Sequence, residues 1–572
     1  MKNMFVANFL YDIADLLDIK GDNFFKTRAY RMAAEAVERL EEDISIVVQE
    51  DRLKSIPGIG DAIAKKITEI VKTGNLKFLE ELKKEIPIVL LDLLKIQGLG
   101  PKRVYALYKN LGITSIDKLR DACLKGKVQV LDGFGVVTEL NILRGIALLK
   151  KTSGRALLNV AFSDGIDYIN YLKDFDKVED ISIAGSLRRM KETIGDIDIL
   201  ISSNYPNDVM DYFVKYPNID QILVKGSTKT SVLLNDNLQV DLRVVKSDSY
   251  GAALQYFTGS KEHNVAIRSI ALKKGFKLNE YGLFDKETDE YVAGKTESDI
   301  YDKLGLSYIE PELRENRGEI EAASDNLLPK LVDYNDILGD FHVHSNMSDG
   351  FNSIEEIVNA ARKIGHKFIF ITDHSQSLKV ANGLSEDRVD KKIQTIEKLN
   401  KKYDDIRIYC GTECDIKPDG SMDYPDRVLK KFDLVYGGIH TAFKMDKDMA
   451  TNRIIKAMEN DYVNAIAHPT CRMIGRREPF DLDIDKIMDV AKKTDTFLEI
   501  NSFPDRLDLK DIHVKLAKEC GVKIIIGTDS HFIVNLPFIR FGVAMARRGW
   551  LEKKDVLNTY SIDRIEKILG VN

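Results

Sequence analysis

The spacing of hydrophobic positions changes twice along the chain. In residues 1–150, apolar residues recur every three or four positions in segments such as RMAAEAVERLEED and DAIAKKITEIVKTG, which predicts one helix after another. From about residue 155, short β-rich runs such as ISIAGS, DIDILIS and LQVDLRVV alternate with helical stretches and predict an α+β sheet. From residue 340 onward, strands such as FIFIT, AIAH and KIIIGT alternate with helix-length segments. Repeated βα units of this kind predict a barrel-like α/β domain.

The composition narrows the class of protein. A chain of 572 residues with 44% hydrophobic and 30% charged residues is long enough for about three to four domains and too apolar for wholesale disorder. No run approaches the ~18 apolar residues of a membrane span, and Asp12, Asp15 and Asp18 interrupt the apolar core that a signal peptide needs. We therefore expect a cytoplasmic, nucleoid-associated protein with no membrane partner. Five scattered cysteines argue against a disulfide framework or a zinc ribbon.

A glycine-containing phrase recurs three times in the helical region, as IPGIGDAIAKKI, IQGLGPKRVYAL and LDGFGVVTELNI. The glycines permit a tight turn, and the backbone N–H groups at the start of the next helix then form a ready anion site. A turn used only for packing would explain one copy. Three copies, the first two followed by basic residues, favour helix-hairpin-helix elements that grip a DNA backbone without reading bases. The residues expected at this interface are Gly58, Gly60, Lys65, Gly98, Gly100, Lys102 and Arg103.

Two carboxylates lie two positions apart in the segment GSLRRMKETIGDIDILI of residues 185–201. Asp196 and Asp198 fall within an apolar strand pattern, so they point to the same face and repel one another unless cations lie between them. Asp241 occupies another predicted strand. Three carboxylates on neighbouring strands can hold two Mg²⁺ or Mn²⁺ ions about 4 Å apart, one activating an attacking hydroxyl and one steadying a leaving pyrophosphate. Solvated carboxylates at a strand edge would explain the pair alone, but not the third aspartate with the GS-x-x-R motif.

The residues upstream of this pair suit a triphosphate, because Gly185, Ser186 and Arg189 offer a backbone N–H, a hydroxyl and a guanidinium. The segment GSLRRMKETIGDIDIL resembles the nucleotidyltransferase signature of family X DNA polymerases. The segment YFTGSKEHNVAIRSIALKKGFKLNEYGLF resembles their dNTP-binding and thumb segment, and FKTRAYRMAAEAV with IPGIGDAIAKKI resembles their lyase and helix-hairpin-helix domain. The matches cover about residues 1–315 in the order of the family.

The resemblance implies roles for individual residues. Asp196 and Asp198 would bind both metal ions, and Asp241 would assist the ion that activates the primer 3′-hydroxyl. Met190 stands where animal members commonly carry a glycine. The other residues assigned by the resemblance are Gly185, Ser186, Arg189 and Gly195 at the triphosphate, Tyr256 and Phe257 at the sugar and base edge, Gly259 and Ser260 in the adjoining turn, Asn264 at the incoming base, and Arg268 at the template minor groove.

The resemblance also implies a lyase in the N-terminal region, with Lys66 as the Schiff-base lysine. Lys26 and Tyr30 match other members of that pocket. Phe25 stands where the family has a histidine, and Ala62 stands where it has a phosphate-binding lysine. The alternative is a solvated Lys66 near DNA phosphates. The domain is therefore either an active lyase or a DNA-binding domain without lyase activity.

The last third of the chain concentrates residues that bind metals. Most of them come where an apolar strand ends, the place where barrel enzymes position their chemistry. Imidazole and carboxylate together suit zinc, manganese or iron. A lone histidine at a strand end is usually a core residue, but six of the nine histidines of the chain lie at such ends. The candidate ligands are His342, His344, Asp349, His374, Glu413, His440, His468, Asp529 and His531.

This set resembles the PHP phosphoesterase family, whose (βα)7 barrel binds three metals. The resemblance implies three divalent ions, as Zn²⁺, Mn²⁺ or Fe²⁺. Clustered divalent metals would generate hydroxide near neutral pH and neutralise a phosphodiester in its transition state. The ligand sets carried over are His342, His344, Glu413 and Asp529 for one ion, Glu413, His440 and His468 for the second, and Asp349, His374 and His531 for the third.

A family X polymerase followed by a PHP domain is the arrangement of the bacterial and archaeal members. We expect a monomeric gap-filling repair polymerase that uses dNTPs on gapped or primed duplex DNA. We expect its barrel to be a metal-dependent 3′–5′ exonuclease and 3′-end processing enzyme, with abasic-site endonuclease or deoxyribose-phosphate lyase as further options. One alternative is a DNA-binding scaffold that carries a small-molecule phosphatase; the hairpin repeats argue against it. Another is a non-catalytic polymerase module that clamps DNA for a nuclease; the three aspartates argue against it.

The expected fold class is a multidomain chain with an all-α helix-hairpin-helix region, an α+β nucleotidyltransferase palm and thumb, and a distorted (βα)7 barrel. Residues 315–338 are polar without a strong period and are interpreted as a linker or docking segment. The expected domains are a lyase-like domain at 1–88, a second DNA-binding helical domain at 89–152, the palm at 153–255, the dNTP-binding thumb at 256–318, a linker at 319–337, and the PHP domain at 338–572.

Overall fold

The computed structural model describes residues 2–38, 40, 42–56, 58–96, 99–152 and 154–571, without the side chains of residues 2, 4 and 147–152. The chain divides into two compact units, one formed by residues 1–153 and 474–478 and the other by residues 154–473 and 479–572. Among the described residues, no helix is long and apolar enough to cross a membrane.

The first unit is helical, which confirms the predicted succession of helices. Its core is a continuous cluster of apolar residues that includes Leu10, Ala33, Ile67 and Leu107. Helix α4 shows how the sequence sets a helix in this unit. Its apolar residues face this core, and Gly74 ends the helix in a left-handed conformation with φ +70°. The helices are α1 (Lys2–Lys20), α2 (Phe24–Glu38), α3 (Ile44–Gln49), α4 (Asp61–Thr73), α5 (Lys77–Glu85), α6 (Leu91–Leu94), α7 (Pro101–Leu111), α8 (Ile116–Leu124) and α9 (Val136–Thr152).

The second unit begins with an α+β region built on a five-stranded sheet of order β2-β4-β7-β6-β5. Strands β4 and β7 pair in parallel, the other pairs of this sheet are antiparallel, and β1 with β3 forms a separate two-stranded pair. The elements are β1 (Ala156–Leu157), α10 (Leu158–Lys173), β2 (Asp180–Ile183), α11 (Gly185–Arg188), β3 (Thr193–Ile194), β4 (Asp196–Ser202), α12 (Pro206–Phe213), β5 (Ile219–Lys225), β6 (Lys229–Leu234), β7 (Gln239–Val245) and α13 (Tyr250–Thr258).

A smaller layer follows, in which helices pack on an antiparallel sheet of order β10-β9-β8. A buried ion-pair network supports it, since Glu297 accepts hydrogen bonds from the fully buried Arg314 at 2.6 Å and from Arg188 at 2.7 Å. Part of the segment 319–337, which is expected to be a linker, packs into this layer, because Ile320 and Ala323 belong to its apolar core. The elements are α14 (Lys261–Lys273), β8 (Phe276–Asn279), β9 (Gly282–Asp285), β10 (Tyr291–Ala293), α15 (Glu297–Lys303) and α16 (Glu319–Ser324).

The rest of the unit is a seven-stranded parallel barrel, as the βα repeats predict. The strands follow one another in chain order, and a bridge between Val343 and Ser530 brings the last strand beside the first. The strands are β11 (Gly339–Val343), β12 (Phe368–Ile371), β13 (Arg407–Asp415), β14 (Leu434–Gly438), β15 (Ala465–Ile466), β16 (Phe497–Asn501) and β17 (Ile524–Gly527). The helices are α17 (Ile354–Lys363), α18 (Glu386–Lys402), α19 (Asp426–Leu429), α20 (Lys447–Met458), α21 (Ile484–Lys493), α22 (Asp511–Cys520), α23 (Ile539–Arg548) and α24 (Ile562–Leu569).

Candidate active sites

The first candidate site is a group of three aspartates on neighbouring strands. Asp196 and Asp198 lie on β4, and Asp198 is directly opposite Asp241 of β7 in the parallel register. The alternation of side chains along β4 places Asp196 on the same face as Asp198. One ligand oxygen from each carboxylate lies within 4.8 Å of the others. The structure therefore brings the three carboxylates close enough to share divalent cations.

The three carboxylates differ in their electrostatics. Burial and the charges of Asp196 and Asp241 raise the pKa of Asp198 to about 7. Burial and Asp241 also raise the pKa of Asp196. Burial acts to raise the pKa of Asp241 too, but hydrogen bonds from Lys229, at 2.6 Å, and Gln239 outweigh it and leave that pKa lowered. Negative charge at Asp196 and Asp198 is thus only partly compensated by the protein, which favours a bound cation.

Gly185 gives the backbone its close approach to one of these carboxylates. Gly185 has φ +62°, and a Cβ there would lie 2.1 Å from Asp198 Oδ2. Only glycine fits both requirements. A Cβ at Gly195 would lie 3.0 Å from Nη1 of Arg155. Ser186 follows Gly185 in helix α11, one residue after the backbone position that approaches Asp198.

Arg189 follows helix α11, and its guanidinium is held by two contacts. Its Nε donates to Glu315 Oε1 at 3.1 Å, and its Nη1 donates to the carbonyl of Thr258. Gly259 leaves the room for this packing, since a Cβ there would lie 3.1 Å from Arg189 Nη1. Arg189 is thereby fixed between the short helix α11 and the turn that joins α13 to α14.

The residues expected at the sugar and the base form one connected cluster. Asn264 Nδ2 donates to the carbonyl of Tyr256 at 2.7 Å, and Gln255 Nε2 donates to Asn264 Oδ1 at 2.8 Å. The rings of Tyr256 and Phe257 meet edge to face at 5.1 Å. The guanidinium of Arg243 lies 4.2 Å from the centre of the Phe257 ring. The backbone and side-chain contacts therefore fix Asn264 relative to both aromatic residues.

Helix α14 carries the remaining residues of this set. Ser260 caps it by accepting a hydrogen bond from the main-chain N of His263 at 3.2 Å. Arg268 lies one turn after Asn264 on the same helix and is half-buried. The order from turn to helix thus runs from the sugar candidates through the base candidate to the template candidate.

The candidate lyase residues gather around one aromatic side chain. Lys66 Nζ lies 4.9 Å from the centre of the Phe78 ring, and Lys26 Nζ lies 5.7 Å from it. Tyr30 stacks on Phe78 at 6.2 Å with an interplanar angle of 12°. Lys26 also forms an ion pair with Asp22 at 3.0 Å. No sequence motif marks Phe78 on α5, so the sequence alone does not predict its place beside these residues.

The glycine phrases stand at helix starts, as expected for hairpins. Gly60 and Gly100 are the N-caps of α4 and α7, and Gly58 has φ +86° in the preceding turn. The side chains of Lys65 and Lys102 are exposed, and Arg103 is half-buried. Gly98 lies outside the described residues.

The second candidate site lies at the carboxyl end of the barrel strands. Because all seven strands are parallel and adjacent, their carboxyl ends meet at one rim. His342 and Glu413 lie within their strands, and the other ligands follow β11, β12, β14, β15 and β17 within a few residues or along the next loop. The residues that the structure gathers at this rim are His342, His344, Asp349, His374, Glu413, His440, His468, Asp529 and His531.

Their ligand atoms form overlapping groups. In each of three groups the ligand atoms lie within 4.8 Å of one another. His468 joins through Glu413, because its Nε2 lies 2.8 Å from Glu413 Oε1, the oxygen that is 2.9 Å from His440 Nε2. Glu413 is therefore the shared carboxylate of the rim. The groups are His342, His344, Glu413 and Asp529; His344, Asp349, His374 and His531; and His374, Glu413 and His440.

The donor atoms at the rim fit bound metal ions. His344 Nδ1, His374 Nδ1 and Asp349 Oδ1 are buried without a hydrogen-bond partner in the described part of the chain. Buried polar atoms are seldom left unsatisfied, and metal coordination would satisfy these. Burial acts to lower the pKa of His440, but Glu413 and Asp415 raise it to about 9. The carboxylates around His440 thus favour positive charge at this place, which a divalent cation would also supply.

Three residues that support the rim are not predicted from the sequence. Glu499 on β16 is buried and lies 2.6 Å from His342 Nδ1, and Asp415 lies 3.2 Å from His440 Nδ1. Such partners orient a ligand imidazole. Arg506 Nε lies 3.5 Å from Asp529, and its buried Nη1 has no hydrogen-bond partner among the described residues. The sequence signal for Glu499 is a carboxylate within the apolar strand TFLEI. Arg506 lies in a loop whose sequence carries no such signal.

Four protein-family models match the chain. The helix-hairpin-helix domain matches residues 1–76, and the SAM-like helix-hairpin-helix tandem matches residues 90–147. The DNA polymerase beta thumb matches residues 253–315, and the PHP domain matches residues 340–503. Together with the two sites, these matches define a multidomain DNA polymerase joined to a metal-dependent phosphoesterase barrel. Both families depend on metals, and the hairpins and the polymerase thumb imply DNA as the substrate.

The similar proteins identify the family. The chain is 40% identical over 569 residues to the DNA polymerase/3′-5′ exonuclease PolX of Bacillus subtilis (strain 168), with 99% of each chain covered. It belongs to this PolX family of DNA polymerases with 3′–5′ exonuclease activity. It is also 25% identical over 352 residues to DNA polymerase lambda of Rattus norvegicus, covering 55% of this chain and 56% of the relative. Over 242 residues it is 29% identical to a protein of Thermoanaerobacter sp. (strain X514) named "probable phosphatase", covering 40% of this chain and 93% of that one.

Proposed function

We propose that the Asp196–Asp198–Asp241 cluster carries out gap-filling DNA synthesis, extending a primer 3′ end with dNTPs. The supporting observation is the β4–β7 register, which sets Asp198 opposite Asp241. Two bound Mg²⁺ or Mn²⁺ ions would supply an activated 3′-hydroxyl and a neutralised pyrophosphate leaving group. The three carboxylates would hold these ions, and the cation Lys229 would keep Asp241 ionised.

The surrounding residues would bind and orient the nucleotide. The guanidinium of Arg189 and the hydroxyl of Ser186 would meet the triphosphate, because both residues lie on or next to α11, whose first residue, Gly185, approaches Asp198. The proposed further contacts are Gly185 and Gly195 at the triphosphate, Tyr256, Phe257, Gly259 and Ser260 at the sugar, Asn264 at the base, and Arg268 at the template. Gly58, Gly60, Lys65, Gly98, Gly100, Lys102 and Arg103 would grip the DNA backbone through the hairpins.

The barrel rim is proposed as the site that removes nucleotides from a 3′ end. Three divalent ions, as Zn²⁺, Mn²⁺ or Fe²⁺, would supply hydroxide and neutralise the phosphodiester. Glu413 would be the ligand shared between ions, and Glu499 and Asp415 would orient His342 and His440. The unpartnered Nη1 of Arg506 would bind an oxygen of the scissile phosphate, for which a guanidinium is suited.

We propose a monomer that acts in the cytoplasm on gapped or primed nucleoid DNA, with the domain boundaries given in the sequence analysis. Lys66 is proposed as the lyase nucleophile because its Nζ lies beside Phe78 and Tyr30. The similarity of the barrel to a "probable phosphatase" supports the alternative of a scaffold with phosphatase activity.

The test is a single-nucleotide-gap duplex incubated with and without dNTPs in Mg²⁺ or Mn²⁺. We expect one-nucleotide extension with dNTPs and stepwise 3′ degradation without them. The same preparation is tested on a small phosphomonoester such as p-nitrophenyl phosphate. Hydrolysis of this compound without extension or degradation of DNA would support the phosphatase alternative and contradict the proposal.

A further inference from the structure

One arginine of the barrel reaches the polymerase motif. Arg548, at the end of α23, donates Nη1 to the main-chain carbonyl of Arg189 at 2.7 Å and to Glu315 Oε1 at 3.0 Å. Its Nη2 donates to Asp511 on α22 at 2.6 Å. The Arg548 side chain is only 2% exposed. A single buried guanidinium therefore joins the barrel to the turn that follows α11.

Glu315 links this arginine to the guanidinium of Arg189. It accepts from Arg189 Nε at 3.1 Å on the same oxygen that faces Arg548, and its other oxygen lies 3.6 Å from Lys191 Nζ. Burial acts to raise the pKa of Glu315, but Arg548, Arg189 and Lys191 outweigh it and leave that pKa lowered. The carboxylate is thus charged and shared by three cations, so its position depends on each of them.

The barrel holds the far end of the same turn as well. Arg472 forms an ion pair with Glu192 at 2.9 Å. Between the two anchors lies Met190, with φ +50°. This left-handed conformation is uncommon for a residue other than glycine, aspartate or asparagine, and it persists where the surroundings fix it. The two barrel contacts, at Arg189 and Glu192, are such constraints.

We propose that Arg548 is a positioning residue for nucleotidyl transfer. By fixing the carbonyl of Arg189 and the carboxylate of Glu315, it sets the guanidinium of Arg189 where the triphosphate of an incoming dNTP binds. The proposal rests on the proposed function, because the role of Arg189 is part of it. The polymerase site is then incomplete without the barrel, although the two sites share no ligand.

Loss of Arg548 has a defined consequence for the nucleotide. Glu315 would keep Arg189 and Lys191 as partners but lose its third, and the Arg189 carbonyl would lose its donor. The guanidinium of Arg189 would then shift and hold the triphosphate less well, because charge-assisted hydrogen bonds depend on geometry. We expect the Kd for dNTP to rise about tenfold, with a smaller change in the rate of incorporation.

The experiment uses the full-length protein in single-turnover incorporation on a single-nucleotide-gap duplex over a range of dNTP concentrations. Arg548→Ala should raise the Kd for dNTP. Arg548→Lys should give an intermediate Kd, because an ammonium cannot reproduce the forked hydrogen-bond geometry of a guanidinium. Arg547→Ala is the matched control, since Arg547 lies on the same helix but binds Glu312 and the carbonyl of Val332 instead. Each variant should retain dNTP-free degradation of the 3′ end, which reports an intact barrel.

A second variant tests the turn itself. In the Arg548→Ala background, Met190→Gly should recover part of the affinity for dNTP, because glycine adopts φ +50° without the steric penalty. In the otherwise unchanged protein, Met190→Gly should have little effect, since the barrel already holds the turn. No recovery in the double variant would contradict the role given to the turn.

The outcomes separate this inference from the proposed function. If Arg189→Ala weakens dNTP binding while Arg548→Ala behaves like Arg547→Ala, the inference is wrong and the proposed function stands. If Arg189→Ala leaves the Kd unchanged, the proposed role of Arg189 fails and the inference fails with it. If Arg548→Ala does not fold, Arg548→Lys and Glu315→Gln decide; wild-type dNTP affinity in both would overturn the inference.

Discussion

Glu499 of strand β16 lies 2.6 Å from His342 Nδ1, and both side chains are completely buried. Burial raises the pKa of Glu499 to about 7, although His342 acts to lower it. The contact leaves His342 Nε2 facing Glu413 at 3.4 Å and Asp529 at 3.8 Å. Glu499 thus fixes which nitrogen of His342 faces the other ligands, without itself belonging to the metal-ligand groups.

Replacing Glu499 should weaken metal binding at the barrel. Glu499→Gln keeps the shape but removes the acceptor charge that orients His342, and such changes typically cost about 10- to 100-fold in metal affinity or activity. Metal content after dialysis and dNTP-free degradation of a 3′ end should both fall. Primer extension should stay near normal. Glu386→Gln is the control, because Glu386 is an exposed partner of Arg427. Equal metal retention in both variants would contradict the assignment.

Replacing Tyr256 should relax sugar selection. The ring lies edge to face with Phe257, while the Tyr256 carbonyl already accepts from Asn264, so Tyr256→Ala removes the ring and keeps the backbone contact. A 2′-hydroxyl would then meet less obstruction, and we expect the preference for dNTP over ribonucleotide to fall about tenfold. Incorporation efficiencies for the two nucleotides measure the ratio. Tyr281→Ala, an exposed tyrosine in the β8–β9 turn, should leave it unchanged. An unaltered ratio in Tyr256→Ala would argue against this pocket.

Lys66 should be the amine that forms a Schiff base if the N-terminal unit is a lyase. Borohydride should trap the protein on a 5′-deoxyribose-phosphate end, and Lys66→Ala should abolish the trapped species. Lys72→Ala is the matched control and should still be trapped, because Lys72 is exposed on the same helix and belongs to none of the proposed sites. Equal trapping in Lys66→Ala would point to another amine. No trapping in the unaltered protein would indicate that this unit binds DNA without lyase activity.

Periodicity predicts the parts of the fold and sites that depend on local spacing. The two-residue alternation along β4 was enough to place Asp196 and Asp198 on one face, and strand ends were enough to mark His344 and His374. Contacts made across the fold leave no such signal. Arg548 and Arg189 are 359 residues apart and meet only because of how the barrel packs on the sheet region. Phe78 lies beside Lys66 through helix packing, so no motif includes it.

In the proposed function, one chain holds two separate metal-dependent sites. Asp198→Ala removes a carboxylate from the strand cluster, and His344→Ala removes an imidazole that belongs to two ligand groups of the rim. Either loss leaves charges unmatched and a metal misplaced, which we expect to cost about a hundredfold or more in rate.

The most direct measurement compares these two variants on one pre-bound single-nucleotide-gap duplex, with fold and DNA affinity checked for each. Asp198→Ala should stop extension with dNTPs and leave dNTP-free degradation near normal. His344→Ala should stop degradation and leave extension near normal, and chelation of divalent metals should stop both. If Asp198→Ala abolished degradation as well, with fold and DNA affinity intact, the two activities would share one site and the account would be wrong.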